Sequence, residues 1–264
     1  MPSLTSHLKP GARMPALFVG HGNPMNAITD TPFSRGWAEI GAALPAPAAI
    51  LCVSAHWMTR GTTLVHVGAR PETIHDFGGF PRALYEQQYP APGAPELAGA
   101  TVELLAKHHA KSSEEWGLDH GAWSVLIRMF PKAEVPVYQL SLDLSRPVAG
   151  HYELARDLKA LRGMGVLVVG SGNIVHNLRT MRPGGAPYDW AVEFDRLIAD
   201  AIAGRRFGAV AGMEGPLMRA AHPTVEHFLP LLYTLAVADE DDEVSFFNEG
   251  IDLASVSMRS CLFA

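Results

Sequence analysis

Histidine is the residue type with chemistry to offer in this chain: twelve among 264 residues. His21 directly follows the apolar run 16–20 (ALFVG), and His56 follows 48–54 (AAILCVS) with only Ala55 between. His176 lies just past 165–170 (GVLVVG), in Gly170-Ser171-Gly172-Asn173-Ile174-Val175-His176. Short uninterrupted apolar runs fit strands buried on both faces. In open α/β sheets, ligands bind beyond the carboxyl ends of such strands, where the loops converge. Three parallel strands would therefore bring three imidazoles to one edge. A metal is the reason to gather neutral imidazoles, and a set of three or four suits Zn, Fe, Cu or Ni rather than Mg or Ca. A further ligand is expected from 221–227 (AHPTVEH), where spacing leaves His222, Glu226 and His227 equally open.

His120, in Asp119-His120-Gly121-Ala122-Trp123, and His75, before Phe77-Gly78-Gly79-Phe80, are candidate acid/base or substrate-orienting groups. His7, His66, His108, His109 and His151 read as exposed and receive no role. Cys52, inside a buried run, reads as a small core residue. Arg82, Arg179 and Gln139 are candidates to meet a substrate carboxylate. Other chemistries fall away. There is no HExxH, no CxxC pair and no GxSxG elbow. Gly20-His21-Gly22-Asn23 lacks the third glycine of a dinucleotide fingerprint, and Gly170-Ser171-Gly172-Asn173 lacks the Lys-Ser/Thr pair of a P-loop.

The elements that must position these residues read as strands alternating with helices. Strands are expected at 16–20, 48–54, 63–67, 135–142, 165–170, 244–247 and 254–263. Helices are expected at 33–43, 95–110, 124–129, 149–163, 190–203 and 223–236, with 116–123 as a turn. The pattern predicts an α/β fold with a central mixed, partly parallel sheet and helices on both faces. A single domain over 1–264 is expected, since 204–215, the best candidate boundary, leaves too little chain behind it. With 48% hydrophobic residues there is ample material for a core. The balance of 21 basic and 27 acidic residues, without a basic tract, argues against nucleic-acid or membrane partners. Two cysteines and the lack of a signal-peptide-like run in 1–14 predict a cytoplasmic protein.

Several of these stretches resemble a known family, the 4,5-DOPA extradiol dioxygenase (DODA-type) enzymes of the class III extradiol superfamily. The matching motifs are MPALFVGHGNPMN (14–26), VSAHW (53–57), TIHDFGGFP (73–81), LDHGAWSVL (118–126), QLSLD (139–143), GSGNIVHNLR (170–179) and PTVEHFLPLLY (223–233). They run nearly end to end in the family's order, and only 204–221 matches no motif. The resemblance implies an oxidoreductase that opens the ring of a DOPA-like catechol with O2, at one divalent metal, Zn2+ or Fe2+. Carried over by position, His21 and His56 match the first two metal ligands and His227 the C-terminal one, which resolves the choice within 221–227. His176 matches a histidine at the metal, described both as a fourth ligand and as the acid/base. His120 matches a histidine that lines the oxygen and substrate pocket.

Iron enzymes of the wider superfamily commonly use two histidines and one carboxylate. An imidazole in the carboxylate's place makes the site softer and one negative charge poorer, so zinc competes with iron. Oxygen activation, however, calls for a redox metal. His75, Phe77 and Phe80 are expected to cover the aromatic substrate. The expected partners are a small aromatic diol and O2, with the chain a monomer or small homo-oligomer. Two alternatives use the same cluster: a zinc-dependent hydrolase with Glu226 as its base, and a non-catalytic metal-binding protein of the same fold.

Overall fold

Successive residues of the apolar runs point to opposite sides, and both sides are buried. The structure, a computed structural model, describes residues 13–264; His7 lies outside them. Leu17, Ile50, Cys52 and Leu167 pack on one side with Trp37 and Trp123. Phe18, Leu51, Val53 and Val168 pack on the other with Leu154, Phe194 and Leu231. The main sheet has six strands: β1 (Ala16–Gly20), β2 (Ala49–Ser54), β3 (Val137–Gln139), β4 (Val166–Gly172), β5 (Val244–Phe247) and β6 (Ser260–Phe263). Their spatial order is β3-β2-β4-β1-β6-β5. The first four run parallel, and β6 is antiparallel to both β1 and β5.

Among the described residues, six helices have eight or more residues: α1 (Pro32–Ala43), α2 (Pro95–Leu104), α3 (His120–Met129), α4 (Val148–Ala155), α5 (Asp189–Ala203) and α6 (Leu229–Val237). α1 and α3 cover one face of the sheet, and α2, α4, α5 and α6 the other. This is the expected mixed α/β architecture. Among the described residues no helix is long and apolar enough to cross a membrane.

Several segments differ from expectation for local reasons. The expected turn over 116–123 ends at Asp119, whose side chain accepts from Ala122 N and starts α3 at His120. The helix expected over 223–236 begins only at Leu229. Pro223, with no N–H to give, cannot extend the preceding helix Pro216–Ala221, and 223–228 forms turns instead. The expected strand 135–142 stops at Gln139, and Leu142–Asp143 pairs with Met58–Thr59. Leu64–His66 pairs with Lys111–Ser113 outside the main sheet. The helix expected over 149–163 lapses into a 3-10 segment at Arg156–Lys159. Within 204–215, helix Phe207–Ala211 packs against α5 and α6.

His66 and His151, expected on the surface, are buried. His151 Nδ1 lies 2.9 Å from the Tyr233 hydroxyl. Burial, with the charge of Arg146 next, pushes the His151 imidazole down to about 4. Burial likewise holds His222 at about 4. Both are therefore neutral in the folded protein and take a proton on unfolding below about pH 6.5. Their contribution to stability is complete above that pH and is lost as pH falls toward 4, by up to about 3 kcal/mol for each group. The melting temperature of metal-free protein is expected to drop between pH 7 and 4.5, and His222→Gln to flatten the drop. A melting temperature constant over that range would contradict the assignment.

Candidate metal centre

The carboxyl edge of the parallel strands carries the histidines. Backbone pairing continues one step beyond each strand: His21 N donates to Gly172 O (3.0 Å) and Ala55 N to Ser171 O (3.0 Å). That step holds His21 in place and sets the chain just ahead of His56. His227 comes from the turns before α6, and its carbonyl accepts from Asn173 N at 2.9 Å. A Cβ on Gly172 would sit 2.2 Å from the His227 carbonyl oxygen, and one on Gly170 2.3 Å from that of Pro230. Glycine at both positions lets the segment that delivers His227 lie directly on β4.

The outer contacts of the rings define their protons. Ser171 donates its hydroxyl to Gly121 O (2.5 Å) and so can only accept from His21 Nδ1, 3.0 Å away. His56 Nδ1 lies 3.2 Å from Asp76 Oδ2, and His227 Nδ1 lies 3.2 Å from Glu226 Oε1. A proton on each Nδ1 leaves the three Nε2 lone pairs free. Those of His21 and His56 face each other at 3.2 Å. A cation between them would accept both lone pairs. Tetrahedral Zn–N bonds of about 2.0–2.1 Å place two ligand nitrogens about 3.3 Å apart. His21, His56 and His227 each offer a nitrogen within 4.8 Å of the others. Burial, with the charge of neighbouring imidazoles, pushes His21 and His227 well below the ordinary histidine value. The same causes bring His56 to about 4. Neutral imidazoles, each backed by an acceptor, are what a metal ligand set requires, so these residues fit the group.

The other expected residues divide. His176 stacks on His227, with ring centroids 3.5 Å apart and planes 5° from parallel. It forms a group with Glu226 and His227, and His227 is shared with the group of His21 and His56. Burial and the charges of His222, His56 and His120 bring His176 to about 3. His120 opens α3, its ring centroid 3.9 Å from that of His56. Phe77 and Phe80 meet edge to face at 5.3 Å and line a cavity of about 420 Å³ above the imidazoles. Leu178, Met181, Leu253 and Val256 line it too.

His75 does not line this cavity. Its Nε2 faces the Gln87 carbonyl at 3.0 Å, and its ring sits beside Phe77 and Trp123. His222 points elsewhere, its Nε2 2.8 Å from Ile174 O. Gln139 is buried and donates to Gly117 O and Asp119 Oδ2. Arg82 pairs with Glu86 on the surface. Sequence reasoning missed Asp76 and Ser171, which hold rings from outside. Asp76 lies within the TIHDFGGFP motif, but nothing in the sequence tells which way it points. Burial would raise its carboxyl, yet the hydrogen bond and charge of His120, with His56, outweigh that and hold it at about 2.

Comparison with known proteins gives this geometry its family. The model of the catalytic LigB subunit of aromatic ring-opening dioxygenase matches residues 14–263. The chain belongs to the LigB family. It is 48% identical over 259 residues to 4,5-DOPA dioxygenase extradiol of Escherichia coli (strain K12), covering 94% of each chain. It is 38% identical over 258 residues to the Beta vulgaris protein of the same name, covering 93% of this chain and 95% of that one. The crystal structure of an uncharacterized protein from Escherichia coli K12 matches with a TM-score of 0.80 at 41% identity, covering 96% of this chain and 100% of that one. Extradiol LigB dioxygenases use a non-haem metal, and the histidine cluster of this LigB chain fits one. The resemblance expected from the motifs is borne out over nearly the whole length.

Proposed function

We propose that this LigB-family chain is an extradiol dioxygenase that opens the ring of a DOPA-like catechol with O2. One catalytic domain spans the chain, and His21, His56 and His227 hold a single ion, Fe2+ in the active form. The observation that carries this reading is the convergence of three outward-buttressed imidazoles on the floor of a cavity walled by Phe77 and Phe80. Bound there, a divalent metal makes a phenolic hydroxyl more acidic, and a redox-active one lets electrons pass from the diol to dioxygen. The chain's own residues do the rest. Phe77 and Phe80 pack against the aromatic ring and keep water from it. His176, neutral and outside the ligand set, accepts a phenolic proton and returns it as the ring opens. His120, its ring 3.9 Å from that of His56, hydrogen-bonds the reacting oxygen. The zinc-hydrolase alternative asks Glu226 to act as base, but its Oε1 already faces Thr224 Oγ1 (2.9 Å) and His227 Nδ1.

The test is anaerobic reconstitution with Fe(II), then air and a catechol, followed by the yellow of the ring-opened semialdehyde. His176→Phe keeps a ring stacked on His227 while removing the proton acceptor. It is expected to retain its metal and to lose about 10²–10⁴-fold in kcat. Unchanged turnover in that variant overturns the role of His176. A wild-type protein silent with Fe(II) but hydrolytic with Zn(II) overturns the dioxygenase reading itself.

A further inference from the structure

Asp76 touches two histidines of different function, and it does so from the loop that carries the aromatic wall. Its Oδ1 accepts the backbone N–H of His120 at 2.8 Å, one of the otherwise unpaired donors that begin α3. Its Oδ2 lies 3.2 Å from His56 Nδ1 and 3.0 Å from His120 Nδ1. The His120 Nδ1 is buried and has no hydrogen-bond partner, and this oxygen, 3.0 Å away, is the acceptor within its reach. The next residue, Phe77, lies 5.5 Å from the His120 ring, centroid to centroid.

We infer that Asp76 is a positioning residue that fixes the Nδ1–H tautomer of both His56 and His120 and so turns both Nε2 atoms toward the cavity. The inference rests on the ligand role proposed for His56. A carboxylate is required because three N–H groups converge on it: His120 N and the two Nδ1–H. An asparagine cannot serve all three. With its oxygen kept on His120 N, its amide N–H groups face both imidazoles and demand a lone pair from each Nδ1. The proton then moves to Nε2, where His56 must present a lone pair to the metal. With the amide reversed, its N–H groups confront the His120 N–H. Either way the single carboxylate's agreement with a ligand, an acid–base group and the aromatic loop is lost.

Nitrogen-detected NMR of the histidine rings in metal-free wild-type protein tests the tautomers directly. The expected result is Nδ1–H for both His56 and His120; a proton on Nε2 of His56 overturns the proposal without any variant. For Asp76→Asn, the dissociation constant for Zn2+ is expected to rise about 10–100-fold, the usual cost of an outer partner of a metal-bound histidine. At saturating Fe(II), kcat for a catechol is expected to fall as well. A variant with wild-type tautomers and Zn2+ affinity, changed only in melting temperature or KM, would make Asp76 a loop anchor and overturn the inference. If wild-type protein cleaves no catechol, the proposed activity fails, while the tautomer and zinc readouts still judge Asp76.

Discussion

His227→Ala is expected to lose both its metal and its ring-cleaving activity, whereas His222→Gln keeps both. The two residues lie five apart on one short segment, both buried, and composition does not separate them. Their surroundings do. His222 gives its Nε2 to the Ile174 carbonyl at 2.8 Å, a contact that the glutamine amide reproduces. His227 has its Nδ1 engaged by Glu226 and its Nε2 free beside His21 and His56. Removing it leaves two imidazoles, short of the three protein ligands that catalytic zinc and related sites retain. The loss of affinity should exceed the roughly 10–100-fold that an outer-shell partner costs. Elemental analysis after dialysis, with the semialdehyde assay on the same samples, reads both effects. Metal retained in His227→Ala, or lost in His222→Gln, would reverse the assignment.

Arg162→Leu is expected to destabilise the protein by about 3–5 kcal/mol, the cost of breaking a buried ion pair from one side. Arg162 is 2% exposed and its partner Asp242 is 5% exposed. The guanidinium holds Asp242 through two hydrogen bonds of 2.6 and 2.9 Å, and also donates to Met14 O (2.6 Å) and Val237 O (3.0 Å). It therefore ties together the start of β1, the approach to β4, the end of α6 and the segment before β5. This is the amino end of the parallel strands, opposite the imidazoles. Leucine fills part of the space but leaves two carbonyls unpaired and the Asp242 carboxylate with Arg13 as its remaining cationic partner. Urea unfolding measures the loss, and the double variant with Asp242→Leu should recover part of it, because the orphaned charge goes with its partner. A midpoint shift worth less than about 1 kcal/mol, the scale of an exposed pair, would contradict this account.

Much of the centre was legible because strand and ligand are adjacent in sequence. ALFVG before His21 and AILCVS before His56 announce both the buried parallel strand and the edge to which its next polar residue is delivered. The motifs extended that reading to His227, His176 and His120. Legibility failed where a side chain's direction depends on a distant segment. His151 sits in a stretch that reads as helix surface, yet α6 covers it and supplies the Tyr233 hydroxyl. His75 belongs to the motif loop but turns to Gln87, whereas its neighbour Asp76 turns to the site.

Periodicity and strand-end placement in the sequence thus determined the α/β class, both covered faces of the sheet and the two histidines at the carboxyl ends of β1 and β2. Tertiary structure alone decided which acceptor stands behind each ring: Ser171 beside His21, Asp76 beside His56 and Glu226 beside His227. It also laid His176 face to face with His227, a contact between residues fifty-one positions apart. Local sequence encodes where a strand ends; the orientation of an imidazole is set by what packs behind it.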